Sequence, residues 1–141
     1  MREDFKGVGI LLDVYDNDSK RNNPSIFVVK NDNGKFQYSH DQDFEDAMLR
    51  TVPSSLKMEG ATQDSYRCVA DIRNLHRPIK LLAKYLNRVM HVYLDTEDGQ
   101  GYRLCLAVEI PGQHPTDPTK STLRDSHLVF TAATGQVRSF I

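Results

Sequence analysis

The stretch GVGILLDVYDNDSKRNNPSIFVV, residues 7–29, decides the fold of this chain. It holds two apolar runs, GVGILL and SIFVV, on either side of a polar loop. Short apolar runs bounded by turn-forming residues are typical of buried β-strands, so we expect strands at 7–12 and 25–30. The loop carries three aspartates and three asparagines between Asp13 and Asn23, and this density of oxygen atoms needs an explanation.

Two interpretations of the loop follow from its residue types. Asp, Asn and Ser favour solvated turns through their own side-chain hydrogen bonds. Calcium, however, takes about 6 to 8 oxygens from carboxylates, amide carbonyls and backbone carbonyls, which this loop also supplies. An EF-hand is excluded, because the sixth position counted from Asp13 is Asp18 rather than Gly. The twelfth position is Pro24 or, counted from Asp16, Phe27, where an EF-hand needs Glu.

The bulk composition is that of one globular domain. The chain has 141 residues, of which 39% are hydrophobic and 26% are charged. The net charge is −1 and no basic stripe is visible, so we do not expect a nucleic-acid partner. The apolar runs are shorter than the about 20 residues that span a bilayer, and MREDFK lacks the apolar segment of a signal peptide. Taken alone, the sequence predicts a soluble, untargeted chain.

Further strands are predicted along the chain. GKFQYSH at 34–40 follows a turn at 31–34 and forms a hairpin signal. Extended segments are also expected at SYRCVADIR (65–73), YRLCLAVEI (102–110) and HLVFTAATG (127–135).

Residues 44–64, FEDAMLRTVPSSLKMEGATQD, are polar and have no clear period. Pro53 and Gly60 interrupt them, so we predict a long loop with one helical turn near Asp46. Long loops of this kind are usually functional or disordered, and the residues do not decide between the two.

The stretch RPIKLLAKYLNRVMHVYL admits two structures. Its apolar residues recur at helical spacing behind Pro78, which suits the first position of a helix. The β-branched and aromatic residues of VMHVY favour instead two strands joined at Asn87 and Arg88.

Four segments together resemble a known family. In chain order, FKGVGILLDVYDNDSKRNNPSI, GKFQYSHDQD, CVADIRN and FTAATG are similar to the L-type lectins, the leguminous-type cargo receptors of the early secretory pathway. The resemblance implies an all-β fold, a concanavalin-like antiparallel β-sandwich or jelly roll, and therefore strands rather than a helix at 78–94. Residues 1–141 would form a partial carbohydrate-recognition domain with a loop insertion at about 44–64.

The resemblance begins within the family's domain. We therefore expect an incomplete sandwich that lacks the earlier strands and exposes sheet edges and apolar surface. A truncated gene model, a fragment or a secondary start would explain this beginning. A serine and an aspartate of the family's sugar pocket would be missing as well.

The function implied by the resemblance is calcium-dependent binding of high-mannose N-glycans on glycoprotein cargo during ER–Golgi transport. The expected location is the lumen of the endoplasmic reticulum, the intermediate compartment and the Golgi, where full-length relatives are membrane-anchored. The alternative is a protein-interaction module of the same fold that has lost sugar binding.

The resemblance also assigns site residues. The calcium ligands would be Asp13, the backbone carbonyl of Tyr15, Asn17 and Asp43, with Asp16, Asn22 and Asn23 serving a second ion or bracing the loop. The carbohydrate contacts would be Asn17, His40, Gly135, Gln136 and Val137. Asn17 would be shared, because its amide oxygen can bind calcium while its nitrogen donates to a sugar hydroxyl. Beyond Val137 the chain departs from the glycine- and aspartate-rich loop of the family.

The two cysteines, Cys68 and Cys105, are compatible by count with one disulfide or with two reduced core thiols. Their positions in the resembling lectins imply the disulfide, which would form in an oxidising lumen.

We do not expect an enzyme. Glycosidases of the same architecture need two carboxylates about 5 to 9.5 Å apart. Glu45 and Asp46, like Glu97 and Asp98, are adjacent in sequence and would face opposite sides of a strand. A nucleophilic cysteine would need a neighbouring histidine, and none lies in a recognisable local motif.

The loop also contains an N-glycosylation acceptor sequence, Asn17-Asp18-Ser19, where resembling lectins commonly have glycine at the third position. An attached glycan would occupy the sugar pocket and use one donor hydrogen of the Asn17 amide. The two fates exclude each other, and we predict an unmodified Asn17 in a working lectin.

Overall fold

The computed structural model describes residues 6–14, 24–31, 48–53 and 55–111. This part of the chain forms seven β-strands: β1 (Gly7–Asp13), β2 (Ser25–Asn31), β3 (Thr62–Gln63), β4 (Arg67–Val69), β5 (Lys80–Leu86), β6 (Val89–Asp95) and β7 (Arg103–Glu109). They make two antiparallel sheets, one with the order β1-β2-β4-β3 and one with the order β5-β6-β7. The predicted all-β fold class is confirmed.

The strands expected around the polar loop are confirmed as β1 and β2. The extended segments predicted at 65–73 and 102–110 correspond to the shorter strands β4 and β7. The strands predicted at 34–40 and 127–135, and the helical turn near Asp46, lie outside the described residues. Within the described ranges no helix is long and apolar enough to cross a membrane.

The ambiguous stretch behind Pro78 forms two strands, as the resemblance implied. β5 and β6 pair in continuous antiparallel register from Lys80 opposite Asp95 to Leu86 opposite Val89. The turn residues Asn87 and Arg88 have φ angles of 51° and 67°. Positive φ at both central residues is the requirement of a type I′ turn, whose twist matches that of the flanking strands.

The hydrophobic core lies between the two sheets. β2 contributes Ile26 and Val28, and the opposite sheet contributes aliphatic residues from β6 and β7; the fully buried ones are Val92, Leu94, Leu106 and Val108. Burying one such side chain contributes about 1.5–3 kcal/mol relative to leaving it exposed. Residues 25–29 of β2 are buried on both faces of the strand, because Phe27 and Val29 pack on the other face against Met48.

A disulfide joins the two sheets. Cys68 of β4 and Cys105 of β7 are fully buried and bonded to one another, with their Cα atoms 5.7 Å apart. The predicted disulfide is therefore confirmed. The register of β6 and β7 shifts at this place, so that Cys105 is an extra residue between Leu104 and Leu106. A bulge of this kind re-aims a side chain, and here it lets two successive residues of β7 lie in the core.

Part of the stretch predicted as a long loop connects the sheets. Residues 48–53 and 55–58, here called the bridging segment, contain Met48, which bridges to Val29 of β2, and Thr51, which bridges to Val108 of β7. The Val52 amide donates to the Ala107 carbonyl (2.7 Å), and the Lys57 amide donates to the Leu104 carbonyl (2.8 Å). The segment therefore covers the edge of β7 that β6 leaves open. Whether residues 44–64 are an insertion stays a prediction.

A side chain completes this irregular pairing. The Ala107 amide donates to the Ser55 hydroxyl (3.2 Å), and the Gln63 side chain donates to the same oxygen (2.6 Å). Ser55 thus provides the acceptor that a regular partner strand would provide from its backbone. A buried backbone amide needs such a partner, because leaving it unpaired is costly.

Candidate functional site

The polar loop is the connection between β1 and β2. The two strands pair along their whole length, and the last pair of residues is Asp13 opposite Ser25. Loop residues 14–24 therefore start and end on neighbouring strands. Asp13 is half-buried and Ser25 is buried, so both residues that flank the loop are at least partly packed within the sandwich.

One segment after β4 holds both ends of this loop. The Ala70 amide donates to the Pro24 carbonyl, and Nη1 of Arg73 donates to the Val14 carbonyl. Each hydrogen bond has a donor–acceptor distance of 3.1 Å. Sequence reasoning used CVADIRN only as a mark of the family and missed these contacts.

Asp13 is the predicted calcium ligand that the structure describes, and it lies at the C-terminal end of β1. The other predicted site residues lie outside the described residues: Tyr15, Asp16, Asn17, Asn22, Asn23, His40, Asp43, Gly135, Gln136 and Val137. Their roles stay predictions.

The residue types of the loop fit calcium. The described ranges contain no cluster of three or more His, Cys, Asp or Glu side chains that could hold a metal ion. The predicted set instead draws on the loop that begins at Asp13, with carboxylate, amide and backbone oxygens that a hard cation prefers. Asp13 is the last residue of β1 and directly precedes that loop.

The carboxylates of the β6–β7 turn make ion pairs. Glu97 pairs with Lys80, and Oδ2 of Asp98 lies 2.5 Å from Nη2 of Arg103. The backbone amide of Gln100 donates to Asp98 and, as the largest cause, holds the pKa of that carboxyl below its ordinary value. The hydrogen bond to Glu97 raises the pKa of Lys80. Together with the Glu97 amide, which donates to the Asp95 carboxylate, these contacts close the turn between β6 and β7.

The cysteine alternative lacks a reactive group while the disulfide is intact. Both cysteines of the sequence lie among the described residues, and each is bonded to the other. A nucleophilic cysteine must be a free thiolate. The pair therefore serves to join the two sheets.

Comparisons with known proteins agree with this geometry. A model of the legume-like lectin family matches residues 1–139, nearly the whole chain. The chain belongs to the legume-like lectin family. Protein ERGIC-53 of Rattus norvegicus is 34% identical over 94% of this chain, and that of Homo sapiens is 32% identical over the same share. The family member described here spans 24% of the length of these relatives.

Solved structures with the same fold carry ligands. The exoplasmic/lumenal domain of VIP36, solved with Ca²⁺ and Man3GlcNAc bound, matches with a TM-score of 0.55 and 27% identity. The match covers 76% of this chain and 39% of the VIP36 chain. A Ca²⁺/mannose-bound form of the same domain matches with a TM-score of 0.54. The resemblance to lectins and the β-sandwich fold are thus confirmed, and calcium is present in structures of the family.

Proposed function

We propose that this lectin-family chain binds high-mannose N-glycans of glycoprotein cargo in a calcium-dependent manner. The observation that carries the proposal is the β1–β2 register, which sets Asp13 at the base of an oxygen-rich loop. Further support comes from the similar fold of the VIP36 domain, which has been solved with calcium and mannose-containing ligands.

In the proposed site, Asp13, the Tyr15 carbonyl, Asn17 and Asp43 hold one calcium ion. Asp16, Asn22 and Asn23 serve a second ion or brace the loop. Bound calcium supplies a fixed positive centre that orders the loop oxygens. Asn17 then presents its amide nitrogen to a mannose hydroxyl.

Two further groups complete the proposed mannose contacts. His40 hydrogen-bonds the same mannose as Asn17. The backbone amides of Gly135, Gln136 and Val137 donate to its other hydroxyls. Every contact is a hydrogen bond to a hydroxyl group, so the proposed activity is binding without catalysis.

The proposed setting is the lumen of the early secretory pathway, between the endoplasmic reticulum and the Golgi. The disulfide between Cys68 and Cys105 supports this setting, because such bonds persist in oxidising compartments. Residues 1–141 are proposed to be one partial carbohydrate-recognition domain in which residues 44–64 are a loop insertion.

Calorimetry and glycan arrays test the proposal on the full chain. We expect calcium binding, and retention of high-mannose glycans that a chelator abolishes. Asp43→Ala should weaken calcium affinity by at least about tenfold, because losing even a residue that only orients a ligand typically costs that much. Glu59→Ala is the matched control, since Glu59 is an exposed carboxylate distant in sequence from the loop. Equal calcium affinity of Asp43→Ala and the parent would contradict the ligand assignment.

The second candidate is an interaction module that has lost sugar binding. The exposed apolar residues Leu82 and Leu86 of β5 favour it, because they offer apolar contact surface. Peptide mass spectrometry of protein made in a secretory host separates the candidates. An unmodified Asn17 is expected of the lectin, whereas substantial glycan on Asn17 would exclude a working sugar site and favour the interaction module.

A further inference from the structure

The loop between β1 and β2 is held at both ends by one short segment. The Ala70 amide binds the carbonyl of Pro24, the last loop residue, and Arg73 binds the carbonyl of Val14, the first. The two carbonyls belong to the residues that directly follow Asp13 and directly precede Ser25, the last pair of the β1–β2 register. One segment therefore sets how far apart the loop ends lie.

This segment, residues 70–73, is itself firmly anchored. Ala70 and Ile72 are buried in the core between the sheets. Two residues before Ala70, Cys68 is bonded to Cys105 of the opposite sheet. The backbone of the segment is thus tied to both sheets, and the exposed side chain of Arg73 extends from it across to Val14.

We propose that Arg73 is a positioning residue for the calcium loop. It holds the Val14 carbonyl, one residue after the proposed ligand Asp13, so that this end of the loop is fixed before the ion binds. The inference rests on the proposed function, because it assigns Arg73 a contribution to calcium affinity. Ordering a loop in advance improves affinity, since less conformational freedom is then lost on binding.

The charge of Arg73 acts in the opposite direction. A guanidinium near a calcium site repels the cation, and this repulsion increases at low ionic strength. If charge dominated, Arg73→Ala would tighten calcium binding. If positioning dominates, as we infer, the same variant weakens calcium binding by about two- to tenfold, the range expected for one hydrogen bond.

Three variants of the full chain test the inference. Arg73→Ala removes the donor and the charge, and Arg73→Lys keeps the charge with a single-point donor. Arg77→Ala is the matched control, because Arg77 is exposed on the same stretch and has no hydrogen bond or ion pair within the described residues. The readouts are amide hydrogen exchange of residues 13–25 in chelator, and calorimetric titration with calcium chloride alone.

We expect faster exchange at residues 13–25 in Arg73→Ala, with the other strands unchanged, and weaker calcium binding. Arg73→Lys should lie between the parent and Arg73→Ala, and Arg77→Ala should match the parent. Unchanged exchange at residues 13–25, faster exchange throughout both sheets, or tighter calcium binding would each overturn the inference. If exchange at residues 13–25 were faster in Arg73→Ala but the parent bound no calcium, the result would support the role of Arg73 in fixing the loop end. It would at the same time overturn the proposed calcium function.

Discussion

The β5–β6 hairpin has regular backbone pairing but exposed side chains on β5, whereas the bridging segment has irregular pairing but buried side chains. The hairpin has continuous register from Lys80 to Asp95, yet Leu82 and Leu86 of β5 are 43% and 50% exposed. The bridging segment makes only isolated bridges, yet Met48, Thr51, Ser55 and Met58 are all buried. Regular backbone pairing and contribution to the core are therefore separate properties in this sandwich.

The difference follows from where each region finds its partners. β5 takes its backbone pairing from β6, the next strand along the chain, rather than from a segment distant in sequence. The bridging segment pairs with β2 and β7, which are remote from it in sequence. We therefore expect substitutions in the bridging segment, and in β7 against which it packs, to destabilise the fold more than substitutions in β5.

The largest effect should come from the disulfide, because it ends in β7, the strand that contacts both regions. The double variant Cys68→Ala and Cys105→Ala should lower the free energy of unfolding by about 4 kcal/mol, as expected for a bridge that closes a loop of this length. Denaturant unfolding measures it. The parent under a reducing agent should approach the variant, and a loss below about 1 kcal/mol would contradict this prediction.

Met58→Ala in the bridging segment should cost about 2–3 kcal/mol, because the buried side chain leaves a cavity in the core. The matched substitution Leu86→Ala in β5 should change stability by no more than about 0.5 kcal/mol, since the side chain is exposed. Thermal and denaturant unfolding compare the two. Equal losses would remove the energetic distinction between the regions.

Ser55→Ala should cost about 1–2 kcal/mol, because the Ala107 amide then loses its acceptor while still shielded from water. Ser65→Ala is the control, since that side chain is exposed while its backbone carbonyl accepts from Thr51 in both proteins. Urea unfolding gives both values. If Ser55→Ala matched the control, the hydroxyl would not be needed to complete the edge of β7.

Arg88→Gly should give the smallest change, a gain of about 0.5 kcal/mol, because glycine adopts positive φ without the strain of a side chain. The exposed ion pair with Glu109 that is lost contributes little. Lys84→Gly, within β5, should instead be destabilising. Calorimetric melting temperatures test the pair, and a loss of stability in Arg88→Gly would contradict the role of turn strain.

Local sequence patterns predicted some elements well and others poorly. The runs around the polar loop predicted β1 and β2, because a short apolar run between turn residues has few other buried conformations. The period behind Pro78 matched a helix, yet the chain forms two strands there. Apolar residues at helical spacing also fall on strand faces, and backbone pairing with β6 makes this stretch a strand although most of its side chains are exposed.

Within the candidate site, the oxygen-rich loop and the ligand types are evident from sequence alone. The contacts that hold its ends are not, because Val14 and Arg73 are 59 positions apart and meet only in the folded chain. No local pattern encodes such a pair.

The sequence by itself determined the all-β class, the family and the residue types of the loop, since these depend on residue type and order. Tertiary structure alone decided that the bridging segment covers β7, that Ser55 replaces a backbone acceptor, and that residues 70–73 hold the loop between β1 and β2. The physical reason is that hydrogen bonding and burial depend on which groups are brought together in space, and antiparallel sheets bring together residues that lie far apart in the chain.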